Sequence, residues 1–215
     1  IVGITKPLVE GIDTAEEFIA YCARVSNPKN QMNKETAPKL LKYCADNGHW
    51  SIFEMVSLNF EINTTRDIGR QILRHRSFSF QEFSQRYSQV QNFTERECRL
   101  QDEKNRQNSI SIDSSDSNQL ELDEWFNSTQ NEITEFAKEK YNEAIERGIA
   151  KEQARSILPE GLTMSTMYMH GTLRSWIHYV NLRAENGTQK EHALIAYEIK
   201  NIILEYFPSL KEILQ

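Results

Sequence analysis

The sequence is poor in cysteine, and the spacing of its cysteines argues against two kinds of scaffold. Cys22, Cys44 and Cys98 are the only three among 215 residues, and no two of them form a C-x-x-C pair. An odd number without that spacing is not the pattern of a disulfide framework or of a zinc cage. Cys22 and Cys44 fall in apolar helical patterns typical of buried small side chains. We therefore expect a protein of a reducing compartment, the cytoplasm.

Long apolar runs and an excess of positive charge are also missing. No stretch approaches the roughly 20 apolar residues of a membrane-spanning helix, and residues 1–7 lack the charged-then-apolar pattern of a secretory signal. The five histidines form no H-x-H or H-E-x-x-H pair, so we predict no metal site. The net charge of −6 disfavours general binding to polyanions, although it leaves a local basic site open.

What is present is typical of one soluble globular domain, which we predict to span residues 1–215. Hydrophobic residues make up 39% and charged residues 26% of the chain, which is enough for a real core. Helical periodicity and end signals predict helices at 14–23, 37–47, 66–74, 119–147, 151–158, 173–182 and 189–207. Strands are expected near 56–62 and 163–169, and the polar, serine-rich residues 107–119 predict a mobile surface loop. The mixture predicts an α+β fold, with helices around a small, mainly antiparallel sheet.

Residues 74–87 concentrate arginine and aromatic side chains in an otherwise acidic chain. If Gln81–Tyr87 is extended, its period of two divides the side chains between two faces. Glu82, Ser84 and Arg86 then share one face, and Phe83, Gln85 and Tyr87 share the other. Arg70 and Arg74, four residues apart on the preceding helix, are expected to project together.

The aromatic residues of this stretch are expected to be buried, and the arginines between them half-buried. The aromatic residues are Phe78, Phe80, Phe83 and Tyr87. Glu82 is the only acid between Arg74 and Tyr87, so local pairing cannot neutralise the arginines, and an unpaired buried guanidinium is costly. A bound phosphate suits the planar fork of arginine and predicts a site for a phosphorylated ligand. A solvated basic face, or single-stranded nucleic-acid binding through arginines and stacking aromatics, is the alternative.

Arg74-His75-Arg76, followed after seven residues by Ser84, resembles the signature of the flavin-dependent thymidylate synthases. Further blocks occur in the family's order: A-R-V-S at 23–26, H-W-S-I-F-E at 49–54, E-F-S-Q-R-Y-S at 82–88, A-R-S-I-L-P at 154–159 and N-L-R-A at 181–184. The resemblance implies reductive methylation of dUMP to dTMP, with methylene-tetrahydrofolate as carbon donor and NADPH-reduced FAD as hydride source. It also implies a homotetramer with active sites between subunits, and neither a membrane nor a nucleic acid is expected as a partner.

The resemblance assigns roles to residues position by position. The residues expected to bind FAD are Ser51, Arg74, His75, Arg76, Glu82, Thr172, Arg174 and His178. Those expected to bind dUMP are Gln71, Arg74, Glu82, Phe83, Ser84, Gln85, Arg86, Arg155 and Arg183. The catalytic candidates are Arg183, a cation that would stabilise charge developing on the uracil ring, and His49, near the reactive ring of the flavin. Thr172 and His178 stand where many relatives have asparagine.

Two further expectations concern groups without a catalytic role. The classical thymidylate synthases attack the uracil ring with a cysteine, but none of the three cysteines here lies in a reactive-looking setting. No general base is identifiable beside Ser84, so we expect Ser84 to bind the nucleotide rather than to act as a nucleophile. His170 and His192 are expected to be surface or packing residues.

Overall fold

The computed structural model describes residues 1–90, 92–185 and 187–214. Its helices are α1 (Ala15–Ala23), α2 (Ala37–Asp46), α3 (Arg66–Ile72), α4 (Ser117–Glu146), α5 (Lys151–Ala154), α6 (Leu173–Arg183) and α7 (Lys190–Tyr206). Short 3-10 helices occupy Pro28–Asn30, Trp50–Glu54, Arg155–Ile157 and Pro208–Glu212. The strands are β1 (Gly3–Ile4), β2 (Ser57–Thr65), β3 (Ser79–Glu82), β4 (Arg99–Gln101), β5 (Ser109–Ser111) and β6 (Met164–Thr172).

The helix ends follow local capping chemistry. The hydroxyl of Thr14 accepts a hydrogen bond from the backbone N–H of Glu17 at 3.1 Å, and the Glu17 carboxylate accepts one from the N–H of Thr14 at 3.3 Å. This capping box satisfies two donors that the first turn of α1 would otherwise leave unpaired. Gly48, which follows α2, has a φ of 72°, a left-handed conformation that glycine adopts without steric cost.

The α+β fold and the small antiparallel sheet are confirmed. Four strands lie in the order β1-β2-β6-β3, and β4 pairs with β5 in a separate two-stranded sheet. β1 is antiparallel to β2, with Gly3 opposite Asn59 and Ile4 opposite Leu58. Along β2 every second residue from Leu58 is buried, which is the alternation that the sequence predicts.

The chain divides into two compact units. The first unit comprises residues 1–62, 75–80 and 168–215, and the second comprises residues 63–74 and 81–167. The core of the first unit contains Trp176, whose indole Nε1 donates to the carbonyl of Leu58 at 3.3 Å and whose ring packs against Phe60. In the second unit Tyr141 is buried and its hydroxyl accepts from the N–H of Val90 at 3.4 Å.

The prediction that residues 81–87 are extended throughout is wrong. β3 ends at Glu82, and the chain then turns, because the N–H groups of Tyr87 and Ser88 both donate to the carbonyl of Ser84 at 3.1 Å. The turn changes which side chains are covered. Phe83 and Tyr87, expected to be buried, are 40% and 83% exposed, whereas Gln85 is only 3% exposed.

The serine-rich segment 107–119 contains more regular structure than the sequence predicts. Residues Ser109–Ser111 form β5, paired with β4, and α4 begins at Ser117 rather than near residue 119. The α4 N-cap is Asp116, whose side chain accepts from the N–H of Asn118 at 2.9 Å. Within the part of the chain that the structure describes, no helix is both long and apolar enough to cross a membrane.

Candidate functional site

The first unit places several of the predicted flavin-binding residues on two elements that contact each other. Ser51 belongs to the 3-10 helix Trp50–Glu54, and His49 is its N-cap. Arg174 and His178 lie four residues apart on α6, so they project from the same side of that helix. The two elements meet where the Arg174 guanidinium pairs with the Glu54 carboxylate and where the His178 ring lies 5.2 Å from the Trp50 ring.

Thr172 has a structural task that accounts for its position. It is the N-cap of α6, and its hydroxyl accepts from the backbone N–H of Ser175 at 3.3 Å. Threonine is one of the residues whose side-chain oxygen caps helices, so its task at the start of α6 is structural. His178 and His49 are exposed, which leaves both imidazoles accessible.

His75 and Arg183, 108 residues apart, are brought together in the first unit. The Nε of Arg183 donates to Nε2 of His75 at 2.9 Å. The imidazole lies edge-on to Tyr179, with the ring centroids 4.9 Å apart, and near Phe78. His75 is therefore half-buried against aromatic rings, and Arg183 is the last residue of α6.

The second unit contains a cavity of about 370 Å³ that combines arginines with a buried amide. Its lining comprises Arg66, Arg70, Gln85, Glu152, Arg155, Ser156, Leu158, Glu160 and Thr163. The Nε2 of Gln85 is buried and has no hydrogen-bond partner among the described residues. A buried unsatisfied amide costs about 1–3 kcal/mol, so it marks a position where a ligand acceptor would be stabilising.

The cations of this cavity are unequally paired. Arg70 pairs with the Glu160 carboxylate, and Arg66 lies 3.4 Å from Glu82. Arg155 donates through Nε to the backbone carbonyl of Glu152 at 3.2 Å, and no carboxylate of the described residues forms a salt bridge with it. Arg155 is therefore the cation of this cavity most available to an anionic ligand.

Glu82 is held by two groups rather than left as an isolated acid. Its Oε1 accepts from Arg66 at 3.4 Å and from the Ser165 hydroxyl at 3.0 Å. Both Glu82 and Arg66 are mostly shielded, with side-chain exposures of 25% and 16%. This arrangement fixes the carboxylate at the end of β3.

The remaining nucleotide candidates also lie in the second unit. Ser84 is half-buried, and its Oγ accepts from the N–H of Arg86 at 3.4 Å. Gln71 is half-buried in α3. Arg86 pairs with Glu152 at 3.3 Å, beside an adjoining cavity of about 590 Å³ that Tyr87 and Lys151 also line. Phe83 borders a third cavity of the same unit, of about 460 Å³.

The expectation of half-buried arginines in residues 74–87 is wrong for this chain. Arg74, Arg76 and Arg86 are all exposed, and Arg86 has a carboxylate partner far along the sequence. Arg74 lies beyond the end of α3, so it does not share a helical face with Arg70. Each of these arginines is open to solvent rather than enclosed by aromatic rings.

Sequence reasoning missed the residues that hold the predicted site residues in place. Arg66 and Ser165 secure Glu82, and their roles depend on contacts across 16 and 83 residues of sequence. His192, expected to be a surface or packing residue, is a packing residue: it is fully buried, with Nε2 3.0 Å from the Tyr179 hydroxyl, a contact that the sequence did not predict. The only signal in the sequence was the lone histidine on the apolar face of α7.

Comparisons with known proteins agree over almost the whole chain. The family model described as thymidylate synthase complementing protein matches residues 7–209. A probable flavin-dependent thymidylate synthase of Paramecium bursaria Chlorella virus 1 is 50% identical over 214 residues, covering 100% of this chain and 97% of that protein. A flavin-dependent thymidylate synthase of Synechocystis is 49% identical, with the same two coverages.

A solved structure shares the fold at lower sequence identity. The crystal structure of the UMP/dUMP methylase PolB from Streptomyces cacaoi, bound with 5-Br dUMP, matches with a TM-score of 0.80. The match covers 98% of this chain and 94% of that one, at 24% identity.

Proposed function

The chain belongs to the flavin-dependent thymidylate synthase family, and from that premise we propose how its residues divide the work of the reaction. The reaction is the reductive methylation of dUMP to dTMP. Methylene-tetrahydrofolate and NADPH are the co-substrates, and FAD is the cofactor. The family membership favours this enzyme over a single-stranded nucleic-acid-binding protein.

The arginine-lined cavity of the second unit is the proposed dUMP site. The observation that carries this assignment is the Gln85 amide, which is buried in that cavity with Nε2 unpartnered among the described residues. A nucleotide has carbonyl, hydroxyl and phosphate oxygens that can accept from such a donor. The cavity volume of about 370 Å³ falls in the range typical of small-ligand pockets.

Arg155 and Glu82 fit two different parts of a nucleotide. Arg155, with no carboxylate partner among the described residues, offers charge-assisted donors to a phosphate. Glu82, oriented by Arg66 and Ser165, offers an acceptor to a hydroxyl or imide N–H. The proposed dUMP-binding set also includes Gln71, Phe83, Ser84 and Arg86. On binding, Arg86 would exchange its partner Glu152 for the nucleotide.

The donors of the first unit fit a dinucleotide cofactor. Ser51, Thr172, Arg174 and His178 supply hydroxyl, guanidinium and imidazole groups on the Trp50–Glu54 helix and α6. Such donors match the diphosphate and ribose oxygens of FAD. The exposed guanidinium groups of Arg74 and Arg76 are further donors for the same cofactor. Bound FAD supplies the hydride chemistry of the reaction.

The thiols are poor candidates for attack on the uracil ring. Burial raises the pKa of Cys22, Cys44 and Cys98, and the nearby carboxylates of Asp123 and Glu97 raise that of Cys98 further. The thiolate is the nucleophilic form, and these environments disfavour it. Ser84 has no histidine or carboxylate partner among the described residues, so it also lacks a general base.

Electrostatic activation by Arg183, a residue of the first unit that we expect an active site between subunits to bring to the nucleotide, is the proposed alternative to a covalent nucleophile. A guanidinium is protonated at every working pH, so it can stabilise negative charge that develops on the uracil ring as its C5 becomes nucleophilic. His49, exposed beside the Trp50–Glu54 helix, is the second catalytic candidate.

We infer a homotetramer with active sites between subunits. Exposed apolar side chains on α4 support burial against another subunit, since such residues rarely remain in water as a continuous stripe. They are Leu122, Trp125, Ile133 and Phe136. The three unpaired cysteines fit the reducing cytoplasm in which we place the enzyme.

Titration of the flavin-loaded protein with dUMP tests the proposal. Binding should perturb the flavin spectrum, and the protein supplied with NADPH and methylene-tetrahydrofolate should then form dTMP. Deoxyuridine, which lacks the phosphate, is the matched control and should bind more weakly because it leaves Arg155 without its anion. A protein that takes up no FAD when supplied with it, or forms no dTMP, would contradict the assignment.

A further inference from the structure

The hydrogen bond between His75 and Arg183 fixes the protonation state of the histidine. Arginine has only donors, and Nε of Arg183 lies 2.9 Å from Nε2 of His75. Nε2 must therefore carry a lone pair, so the imidazole is neutral and its ring proton is on Nδ1. An imidazolium would offer no acceptor and would place a second positive charge beside the guanidinium.

The surroundings of His75 favour the neutral ring. Tyr179 lies edge-on at 4.9 Å between ring centroids, and Phe78 lies at 6.4 Å. Among the contacts that the structure describes, the titratable and charged groups that face His75 include Arg183 and Tyr179 of α6 and His192 of α7, whose ring centroid is 6.2 Å away. The Tyr179 hydroxyl lies at hydrogen-bonding distance, 3.0 Å, from Nε2 of His192. Burial raises the pKa of Tyr179 and lowers that of His192, so both side chains are neutral. Of these three described groups, Arg183 is the charged one.

The hydrogen bond to His75 uses only Nε of Arg183, so the edge of the guanidinium that carries Nη1 and Nη2 is available. Four of its five N–H donors belong to Nη1 and Nη2, and within the described residues those atoms have no hydrogen-bond partner. Two parallel N–H groups suit a pair of adjacent acceptors, such as the carbonyl oxygen and the neighbouring ring nitrogen of a uracil carrying negative charge.

We propose that His75 is a positioning residue for Arg183: its neutral imidazole accepts the Nε–H and holds the guanidinium plane so that both Nη groups can face the pyrimidine. This inference rests on the proposed role of Arg183 in activating the uracil ring. It gives the central histidine of the Arg74-His75-Arg76 stretch a task distinct from contact with the cofactor. It also makes the arrangement sensitive to acid, because a second proton on His75 removes the acceptor.

Two substitutions separate the acceptor from the bulk of the ring. In His75→Gln the side-chain Oε1 can reach the position of Nε2 and accept from Arg183, whereas His75→Leu fills space without an acceptor. With flavin content measured and matched, His75→Leu should lower kcat for dTMP formation about 10- to 100-fold, as expected for loss of a hydrogen bond to a charged group. His75→Gln should retain most of the activity.

The pH profile adds a readout that a purely structural role would not change. In the wild-type holoenzyme kcat should fall on the acid side as His75 takes up its second proton. In His75→Gln that acid limb should be weakened or absent, since an amide does not titrate. Equal activities of the leucine and glutamine variants, or an unchanged acid limb in His75→Gln, would overturn the proposal.

Histidine 15N NMR of the wild-type holoenzyme decides the matter even if His75→Leu fails to bind flavin or to fold. At neutral pH the His75 signals should show the Nδ1–H tautomer with Nε2 unprotonated, and Arg183→Met should remove that preference. A doubly protonated His75, or an Nε2–H tautomer, would refute the inference directly. A wild-type protein that forms no dTMP would instead refute the proposed function, so the two failures are distinguishable.

Discussion

Gly171 of β6 lies directly against the ring of Phe78, so closely that a β-carbon at residue 171 would overlap two ring carbons. Both residues are buried in the first unit, and Phe78 also packs on Trp176, with ring centroids 4.6 Å apart. Phe78 follows the Arg74-His75-Arg76 stretch by two residues. The absence of a side chain at Gly171 therefore determines where the loop of residues 75–78, which leads into β3, can lie.

Replacing Gly171 with alanine should displace Phe78 and loosen this loop. We expect a loss of about 1–3 kcal/mol in the free energy of unfolding, because the added methyl must push aside a ring that is itself packed. FAD affinity should fall as well, since Arg76, a proposed donor to the cofactor, lies two residues before Phe78. Urea unfolding and flavin titration measure the two effects. Gly161→Ala is the matched control: apart from residue 161 itself and its two chain neighbours, no atom would lie within 4 Å of the added β-carbon, so this change should alter stability by no more than about 0.5 kcal/mol. Equal effects of the two substitutions would contradict the packing argument.

The parts of the fold that the sequence predicted are those whose signals are local. α1, α6 and α7 begin and end within about two residues of the predicted bounds, because capping groups and the 3.6-residue period lie within each helix. The alternation in residues 81–87 misled because a strand continues only where a neighbour supplies hydrogen bonds. The last such bond runs from the N–H of Phe83 to the carbonyl of Thr166 at 2.9 Å, after which the chain turns. No pattern within residues 81–87 records that contact.

His192 is a buried base whose neutral state makes stability depend on pH. Burial lowers the pKa of His192 to about 4, helped by the nearby Arg183 and, once it is protonated in acid, by His75, whereas an unfolded histidine titrates near about 6.5. Between these pH values the unfolded chain binds more protons, so stability must fall as the pH is lowered. From this residue alone the free energy of unfolding should be about 2 kcal/mol lower at pH 5 than at pH 7.

Urea unfolding at the two pH values checks this expectation. His192→Gln should flatten the dependence, because the glutamine amide reaches the position of Nε2 and can form a hydrogen bond with Tyr179 without titrating. His170→Asn is the control, since His170 is exposed and its Nδ1 lies 3.0 Å from Asn59. If the wild type and His192→Gln lose stability equally on acidification, His192 is not the source.

Arg66 should matter to nucleotide binding through Glu82. Arg66→Met removes the cation 3.4 Å from Glu82, and dUMP affinity should fall about tenfold because the carboxylate loses a charged partner that orients it. Arg99→Met is the matched control: Arg99 also lies 3.4 Å from a carboxylate, that of Glu97, but borders none of the three cavities described above. Calorimetric titration of Arg66→Met, Glu82→Gln and the double variant should show coupling between the two residues. Additive losses would mean that Arg66 acts independently of Glu82.

The sequence suggested candidate members of the site but not their partners. Motif positions pointed to Glu82, His75 and Arg183 as candidates, since residue type at a fixed spacing is itself the signal. The partner of each was hidden, because Arg66 and Ser165 meet Glu82 only after α3, β3 and β6 have been arranged by long-range packing. Exposure of Arg74 and Arg76 was missed for the same reason: burial depends on the neighbours that the fold supplies.

Ser84→Ala should separate binding from covalent catalysis. The Ser84 hydroxyl accepts from the N–H of Arg86 at 3.4 Å, so its removal should loosen the turn that follows β3 and weaken dUMP binding several-fold. Methylation should persist at saturating dUMP, since none of the described residues offers Ser84 a base that could activate it. Complete loss of dTMP formation with intact dUMP affinity would restore the nucleophile hypothesis.

Gln85 and Gln130 are two buried glutamines whose replacement by leucine should have opposite consequences. Gln85 is 3% exposed and its Nε2 is unpartnered among the described residues, whereas Gln130 is 4% exposed and bonds to the backbone of Arg96 through both its oxygen, at 2.7 Å, and its nitrogen, at 3.0 Å. Without ligand, Gln85→Leu should leave the free energy of unfolding unchanged or raise it by about 1 kcal/mol, because it removes a desolvated donor. The same change should weaken dUMP binding by about tenfold, the effect of one lost hydrogen bond.

Gln130→Leu should lower stability by about 1–3 kcal/mol for each Arg96 group left unpaired, yet leave the dUMP affinity of the folded protein intact. Urea unfolding without ligand measures the free energy of unfolding of each variant, and calorimetric titration measures its dUMP affinity. A Gln85→Leu protein that is destabilised and binds dUMP normally would show that the buried amide serves the fold rather than the nucleotide.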